Sequence, residues 1–217
     1  MMDTIQVGEY SIDAEISRKP GSKLNIVIAH GGNNNMNHSL IQKLFDAFVD
    51  KYSVLRFNFS FVNEGRIAMG NVGKSEAELT ACIKYIGTDN VVLIGKSYGG
   101  YVSTLLAGRD DLGIKKVIAL GYPLHKPDKP NEVRFELTHI HLESAMLPVE
   151  FIVGDSDHVW DVEKAPPILA KYKLNVIENA DHSFKPVRPG STVDENEDKA
   201  VGIAKRIVSE VDNELTE

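Results

Sequence analysis

The amino-acid sequence predicts an α/β fold with a mostly parallel central sheet and helices on both faces. Apolar runs of strand length recur along the chain, and most are followed by a turn and a segment with helical spacing. The runs are almost continuously apolar rather than alternating, which is typical of strands that helices cover on both faces. These two patterns predict βαβ units, whose ligands bind at the carboxyl ends of the strands.

The predicted elements alternate along the chain. The segment "TIQVGEYSIDAEI" alternates apolar and polar residues and predicts a peripheral antiparallel hairpin near the start. The predicted strands are residues 24–30, 53–59, 90–95, 115–123, 148–154 and 174–178. The predicted helices are residues 38–51, 74–87, 98–108, 160–172 and 195–211. The candidate insertion, residues 124–144, is too short for a second domain, so residues 1–217 are expected to form a single domain.

Composition and sequence patterns limit the partners and the cellular location that can be expected for this protein. The net charge of -7 argues against nucleic acid and anionic membrane surfaces as partners. The N-terminus lacks a basic region followed by an apolar run, and no window approaches the roughly 18 apolar residues of a membrane span. Cys82 is the only cysteine, so no internal disulfide can form. We therefore expect a cytoplasmic protein.

The stretch "VVLIGKSYGG", residues 91–100, could hold either a phosphate loop or a nucleophile elbow. A phosphate loop needs Gly or Ala, four loop residues and then Gly-Lys-Ser, but here those four residues form the strand itself and Asn90 takes the glycine position. A nucleophile elbow needs an apolar strand, Gly-x-Ser-x-Gly and an immediate helix. Gly95, Ser97 and Gly99 meet that pattern, so Ser97 is the candidate nucleophile.

A second Gly-Lys-Ser occurs in "AMGNVGKSEAE", where Ala68 precedes Gly73-Lys74-Ser75 at the looser phosphate-loop spacing. The preceding "NEGRI" is polar, whereas a phosphate loop follows directly from a buried strand. The alternative interpretation is a surface loop in which Lys74 or Ser75 starts the next helix. Nucleotide hydrolysis at this segment stays open as a rival function.

A serine nucleophile needs a histidine base and an acid that orients it. "FIVGDSD" places Asp155 and Asp157 just beyond a strand, and "NVIENADHSF" places His182 in the loop after the next strand. The chain order Ser, Asp, His is that of hydrolases built on such sheets. Asp157 is favoured as the acid, because Asp155 is better placed to bind backbone N–H groups of the turn.

The negative charge that develops on a substrate carbonyl oxygen needs backbone N–H donors. The sequence predicts two such donors, the N–H of Tyr98 and that of Gly32 in the Gly-rich bend "IVIAHGGNNNMNH". His30 is expected to be a structural hydrogen-bonding residue. The candidate pocket walls are Phe61, Tyr98, His125 and Trp160.

The remaining histidines do not predict a metal site. His139 and His141 in "THIHLE" lie two residues apart, so they would not share a face of a helix. Neither Cys-x-x-Cys nor His-Glu-x-x-His occurs in the chain. We expect neither a structural nor a catalytic metal.

At these residues the chain resembles the α/β-hydrolase superfamily, and more narrowly its small, lid-poor, dienelactone-hydrolase-like members. The resemblance lies in "IAHGGNNNMNH", "LRFNFSFVNEGR", "IGKSYGG", "GYPLHKPDKPNEVR", "FIVGDSDHVW" and "NADHSF", which together span residues 24–184. It implies an α/β-hydrolase fold with a minimal lid and no cofactor. It also implies Ser97, Asp157 and His182 as catalytic residues and an oxyanion hole at Gly32 and Tyr98.

Two departures limit what the resemblance implies about the substrate. Dienelactone hydrolases use a cysteine nucleophile where this chain has Ser97, so their substrate is not carried over. The loop "GGNNNMN" is also more polar than the corresponding turn of such relatives. The expected function is a serine hydrolase, of carboxylesterase or thioesterase type, that cleaves a small ester or thioester through an acyl-enzyme. The alternative is a non-catalytic binding or scaffold protein on the same fold.

Overall fold

The computed structural model describes residues 2–65, 71–124, 141–142, 147–160 and 167–216. Within these ranges the strands are β1 (Met2–Val7), β2 (Tyr10–Ser17), β3 (Asn25–Ala29), β4 (Ser53–Phe57), β5 (Val91–Lys96), β6 (Ile114–Leu120), β7 (Val149–Gly154) and β8 (Lys173–Ile177). They form one sheet in the order β1-β2-β4-β3-β5-β6-β7-β8. The pairs β1–β2 and β2–β4 are antiparallel, and the pairs from β4 through β8 are parallel.

Helices cover both faces of this sheet. The described α-helices are α1 (Ser39–Phe48), α2 (Ser60–Asn63), α3 (Val72–Ile86), α4 (Tyr98–Leu106) and α5 (Val193–Glu214). Short 3₁₀ turns occur at Asp110–Leu112 and Pro167–Lys171. Helices α1 and α5 pack on one face of the sheet, and α3 and α4 pack on the other.

The central strands are continuously apolar because successive side chains point into two different cores. In β5, Val91 and Leu93 join the cluster under α3 and α4, whereas Val92 and Ile94 join the cluster under α1 and α5. All four side chains are fully buried. Burial of a Val, Leu or Ile side chain contributes about 1.5–3 kcal/mol, so both faces of each central strand stabilise the sheet.

The structure confirms the predicted α/β fold, the N-terminal hairpin and all six predicted strands. The prediction of a helix over residues 160–172 is wrong in its described part, where only the 3₁₀ turn Pro167–Lys171 occurs. Residues 161–166 lie outside the described part. The sequence has Pro166 and Pro167 in this segment, and proline removes backbone donors and disrupts an α-helix interior. The short helix α2 was not predicted.

The second Gly-Lys-Ser lies at the start of α3. Gly73, Lys74 and Ser75 are in its first turn, and the Asn71 side chain caps it by accepting a hydrogen bond from the Lys74 N–H at 3.0 Å. Lys74 Nζ lies 3.0 Å from a Glu64 carboxylate oxygen. Helix α2 and a turn precede the undescribed residues 66–70, so the last described strand ends well before this segment. These contacts favour the interpretation in which the segment begins a helix, which starts at Val72, rather than forming a phosphate loop.

Among the described residues, no helix combines the length and the apolar character needed to cross a bilayer.

Candidate active site

Ser97 lies at a sharp turn between β5 and α4. Its backbone has φ 50° and ψ −114°, a conformation that residues with a side chain rarely adopt. Glycine is required at both flanking positions, because a side chain there would collide with neighbouring backbone atoms. A Cβ on Gly95 would lie 2.4 Å from the Gly100 N. A Cβ on Gly99 would lie 2.5 Å from the Ala29 carbonyl oxygen. The strand, turn and helix therefore meet so tightly that the Ser97 side chain projects from the carboxyl end of the sheet.

His182 lies in the loop after β8 and contacts both of its predicted partners. Its Nε2 is 2.9 Å from Ser97 Oγ, and its Nδ1 is 2.9 Å from Oδ2 of Asp157. The ionised carboxylate can only accept, so Nδ1 carries the proton and Nε2 accepts from the serine hydroxyl. The Asp157 side chain is completely buried and that of His182 is 19% exposed. This tautomer leaves the imidazole ready to accept the serine proton.

Asp155 makes a different set of contacts. Its carboxylate accepts a hydrogen bond from the Ala180 N–H at 3.3 Å and one from the Ser156 hydroxyl at 2.9 Å. It also lies 3.6 Å from the Arg188 guanidinium. Asp155 therefore ties the end of β7 to the loop that follows β8, and only Asp157 contacts the imidazole.

The loop that carries His182 is fixed from inside the protein. The side-chain amide of Asn196, which is fully buried in α5, donates to the carbonyls of Asn179 and Phe184 at 3.1 and 3.2 Å. The Asp181 carboxylate accepts from the N–H groups of Ser183 and Lys185 at 2.7 and 2.8 Å. These bonds hold the backbone on both sides of His182, so the orientation of the imidazole does not depend on Asp157 alone.

The predicted oxyanion donors, the N–H groups of Gly32 and Tyr98, lie in the loop after β3 and at the start of α4. Neither of these N–H groups donates to another backbone group of the described residues. The loop is tied down at Met36, whose N–H donates to Asn58 Oδ1 at 2.8 Å and whose carbonyl accepts from the Arg56 guanidinium at 2.6 Å. Backbone N–H groups without a backbone acceptor are one requirement of an oxyanion site.

His30 is a structural residue, as its sequence context predicts. Its side chain is fully buried, its Nδ1 is 2.7 Å from the Gly31 carbonyl, and its Nε2 accepts from the Phe59 N–H at 3.1 Å. Burial lowers the pKa of His30 to about 4, so the ring is neutral at physiological pH. The neutral ring joins β3 to the residues after β4, beside the Gly32 loop.

The candidate pocket residues differ in exposure. Phe61 and Tyr98 are partly buried, and their rings meet edge to face at a centroid distance of 5.9 Å. Trp160 is only 3% exposed and packs against Phe151 at 5.3 Å, so its ring lies in the core beneath the site. His125 falls outside the described residues. Of the described candidates, Phe61 and Tyr98 are therefore the partly exposed pair, whereas Trp160 belongs to the core.

The structure reveals two neighbours of His182, His158 and Lys96, that the sequence patterns did not indicate. The exposed His158 ring lies edge to face with His182 at a centroid distance of 5.7 Å, and Lys96 is buried behind it. Burial, followed by the charge of Lys96, lowers the pKa of His182 against the opposing influence of Asp157. In the sequence, only the adjacency of His158 to Asp157 indicated that His158 could lie near His182.

Within the described ranges, no group of three or more His, Cys, Asp or Glu side chains is placed to hold a metal ion. His139 lies outside those ranges. His141 Nε2 is 2.9 Å from Thr104 Oγ1, a hydrogen bond to α4.

Comparison with known proteins identifies the family to which the chain belongs. Residues 22–209 match a family model described as an alpha/beta hydrolase domain, whereas no curated protein matches the chain significantly. An alpha-beta serine hydrolase homologue from Coxiella burnetii aligns at TM-score 0.69 and 18% identity, covering 95% of this chain and 96% of that one. An α/β serine hydrolase without a lid from Xanthomonas campestris gives 0.69 and 17%, covering 97% and 94%. Est1E from Butyrivibrio proteoclasticus with bound ferulic acid gives 0.71 and 15%, covering 95% and 99%. Because the family model covers most of the sequence and the structural matches share the fold, the chain belongs to the α/β-hydrolase family.

Proposed function

We propose that the protein is a serine hydrolase that cleaves a small carboxylic ester or thioester with Ser97, His182 and Asp157. The observation that carries the proposal is the continuous hydrogen-bonded chain from Ser97 Oγ through both imidazole nitrogens to Asp157. The strained backbone of Ser97 supports it, because strain of this kind clusters at functional sites. The serine-hydrolase names of two structural relatives are consistent with it.

The proposed reaction has two stages through one acyl-enzyme. Ser97 Oγ attacks the carbonyl carbon while His182 Nε2 takes its proton, and the N–H groups of Gly32 and Tyr98 bind the oxyanion. Collapse of the tetrahedral adduct breaks the bond to the alcohol or thiol, which leaves with the proton from His182. Water then attacks the acyl group, His182 accepts and returns a proton, and the carboxylic acid departs. Asp157 stabilises the imidazolium throughout.

The partly buried pair Phe61 and Tyr98 favours a small apolar or aromatic acyl group. Aromatic rings offer a large apolar contact area and prefer to pack edge to face, as Phe61 and Tyr98 do with each other. The relative Est1E has been solved with ferulic acid, a reason to include hydroxycinnamate esters in a substrate panel beside acetyl and butyryl esters and thioesters. The minimal lid, the participation of His125 and Trp160 and the cytoplasmic location remain predictions.

The test is mass spectrometry of the intact protein after treatment with a fluorophosphonate. We expect one adduct in the wild type and none in Ser97→Ala, together with loss of several powers of ten in turnover in Ser97→Ala and His182→Ala. Ser183→Ala is the matched control, because Ser183 is exposed and adjacent to His182 but outside the hydrogen-bonded chain. A folded wild-type protein without an adduct would instead support the non-catalytic binding function.

A further inference from the structure

Lys96 occupies the variable position of the Gly-x-Ser-x-Gly turn and is buried. It is the last residue of β5 and only 5% exposed, although lysine is almost never buried without a partner. Its ammonium lies 5.5 Å from the centre of the Phe184 ring. A buried cation beside the nucleophile is costly, so it calls for an explanation.

The ammonium and the His182 imidazole face the same small space. That space lies at Gly121, whose backbone has φ 52°. A Cβ at Gly121 would lie 2.7 Å from Lys96 Nζ, 3.2 Å from the His182 carbonyl oxygen and 3.4 Å from His182 Nδ1. The absence of a side chain at Gly121 therefore leaves the positive charge of Lys96 close to the nitrogen that binds Asp157.

A buried carboxylate and a buried ammonium lie around this space. The Asp157 carboxylate is completely buried and needs a counter-charge. Lys96 interacts favourably with Asp157 and with Asp181, the residue before His182. With His182 neutral, Lys96 offsets the charge of the buried Asp157 carboxylate, whereas protonation of His182 would place a second positive charge beside Lys96.

We propose that Lys96 is a positioning residue of this site, whose buried ammonium is the counter-charge of Asp157 and keeps His182 in the neutral form that accepts the Ser97 proton. The inference rests on the function proposed above. Other ionisable side chains surround the pair: His158 lies edge to face with the imidazole, and His38 lies close enough to interact with Lys96. Burial lowers the pKa of His38, so Lys96 is the buried group that carries a positive charge beside His182 near neutrality.

The directions of the pKa shifts at the site agree with this role. The pKa of His182 lies below its usual range because of burial and then Lys96. Burial also lowers the pKa of Lys96 to about 8, while Asp157 and Asp181 raise it. Lys96 therefore stays mostly charged at neutral pH, where a general base must be neutral.

The experiment is an NMR titration of the His182 imidazole in the whole protein, as wild type and as Lys96→Met. We expect the His182 midpoint to lie below 6.5 in the wild type and to rise by about one pH unit in Lys96→Met. The acid limb of kcat/KM should move to higher pH by the same amount. Lys96→Arg keeps the charge and should keep the low midpoint.

Lys185→Met is the matched control, since this exposed lysine lies three residues after His182 but faces solvent that screens its charge. It should leave the His182 midpoint in place. An unchanged or lower midpoint in folded Lys96→Met would overturn the proposal. The NMR readout requires no turnover, so it separates failure of this inference from failure of the proposed hydrolase function.

A second measurement keeps the proposal testable if Lys96→Met does not fold. The side-chain carbon resonance next to Nζ of Lys96 can be titrated in the wild type alone. A Lys96 midpoint near 8 supports the proposal, because the ammonium is then charged over the pH range in which His182 must be neutral. A His182 midpoint at or above 6.5 overturns it.

Discussion

Asp157 contacts His182 through both carboxylate oxygens, which lie 3.1 and 2.9 Å from Nδ1 of the imidazole. One of these oxygens also accepts the Val159 N–H at 2.9 Å, which fixes the carboxylate before any substrate arrives. Asp155 is only two residues earlier, yet its carboxylate binds Ala180 and Ser156. The two aspartates thus have separable roles.

Asparagine substitutions should separate those roles. We expect Asp157→Asn to lower kcat on the order of 10³- to 10⁴-fold, because an amide at this position no longer stabilises the imidazolium. Asp155→Asn should leave kcat within about tenfold and lower the free energy of unfolding by about 1 kcal/mol, since it loses charged hydrogen bonds. Steady-state kinetics and urea unfolding of both variants measure the two effects. The reverse order of kcat losses would show that Asp155 is the acid.

The strained backbone of Ser97 makes a prediction about stability. Glycine adopts φ 50° and ψ −114° without a clash, so Ser97→Gly should raise the free energy of unfolding by about 1 kcal/mol while abolishing turnover. Ser97→Ala is the control, because it also lacks the hydroxyl but keeps the Cβ and hence the strain. Equal stability of the two variants in chemical denaturation would contradict the strain argument.

Alanine at two helical glycines should act in opposite directions. In Gly99→Ala the new Cβ would lie 2.5 Å from the Ala29 carbonyl oxygen and 2.6 Å from that of His30, so we expect a loss of more than about 3 kcal/mol in unfolding free energy. Gly202 is exposed on α5 with no atom within 4 Å of a new Cβ. Gly202→Ala should therefore stabilise the protein by about 0.5–1 kcal/mol. Thermal unfolding of both variants measures these changes in stability. Stabilisation by Gly99→Ala would contradict the predicted steric clash.

His30 should make folding stability depend on pH between 6.5 and about 4. Its pKa is lowered in the folded protein, so its contribution is complete above the unfolded pKa of about 6.5 and is lost as the pH falls toward 4. The pKa difference corresponds to a loss on the order of 3 kcal/mol. Urea unfolding across this range measures it.

His30→Gln provides the comparison, because glutamine can keep both hydrogen bonds but does not titrate. Its unfolding free energy should fall by about 3 kcal/mol less than that of the wild type over the same pH range. His38 and His182 also have lowered pKa values, but they are present in both proteins and cancel in the difference. Identical pH slopes would show that His30 is not the titrating group.

The fold was predictable where one physical cause determines the pattern. The two-sided burial of β5 makes its sequence continuously apolar, and the same holds for β3. Helix α2 has only four residues, too few to show a helical period, so no pattern predicted it. The segment 160–172 shows helical spacing, but spacing alone ignores the cost of its two prolines.

The candidate site was predictable in its local parts only. The Ser97 turn is encoded by adjacent residues, and the order of Asp157 and His182 follows from the strands that precede them. Lys96 and His158 become neighbours of His182 through contacts between different strands. A lysine in a strand gives no sign that it is buried, because lysine is mostly exposed in proteins.

The position of β8 at the edge of the sheet has a consequence for inactivation. An edge strand pairs on one side only, and such segments open locally at lower free energy than a central strand such as β5. Opening of β8 moves the loop with His182 away while Ser97 keeps its place at the centre. On heating, the protein should therefore lose turnover before its circular dichroism changes, with most of its sheet still folded.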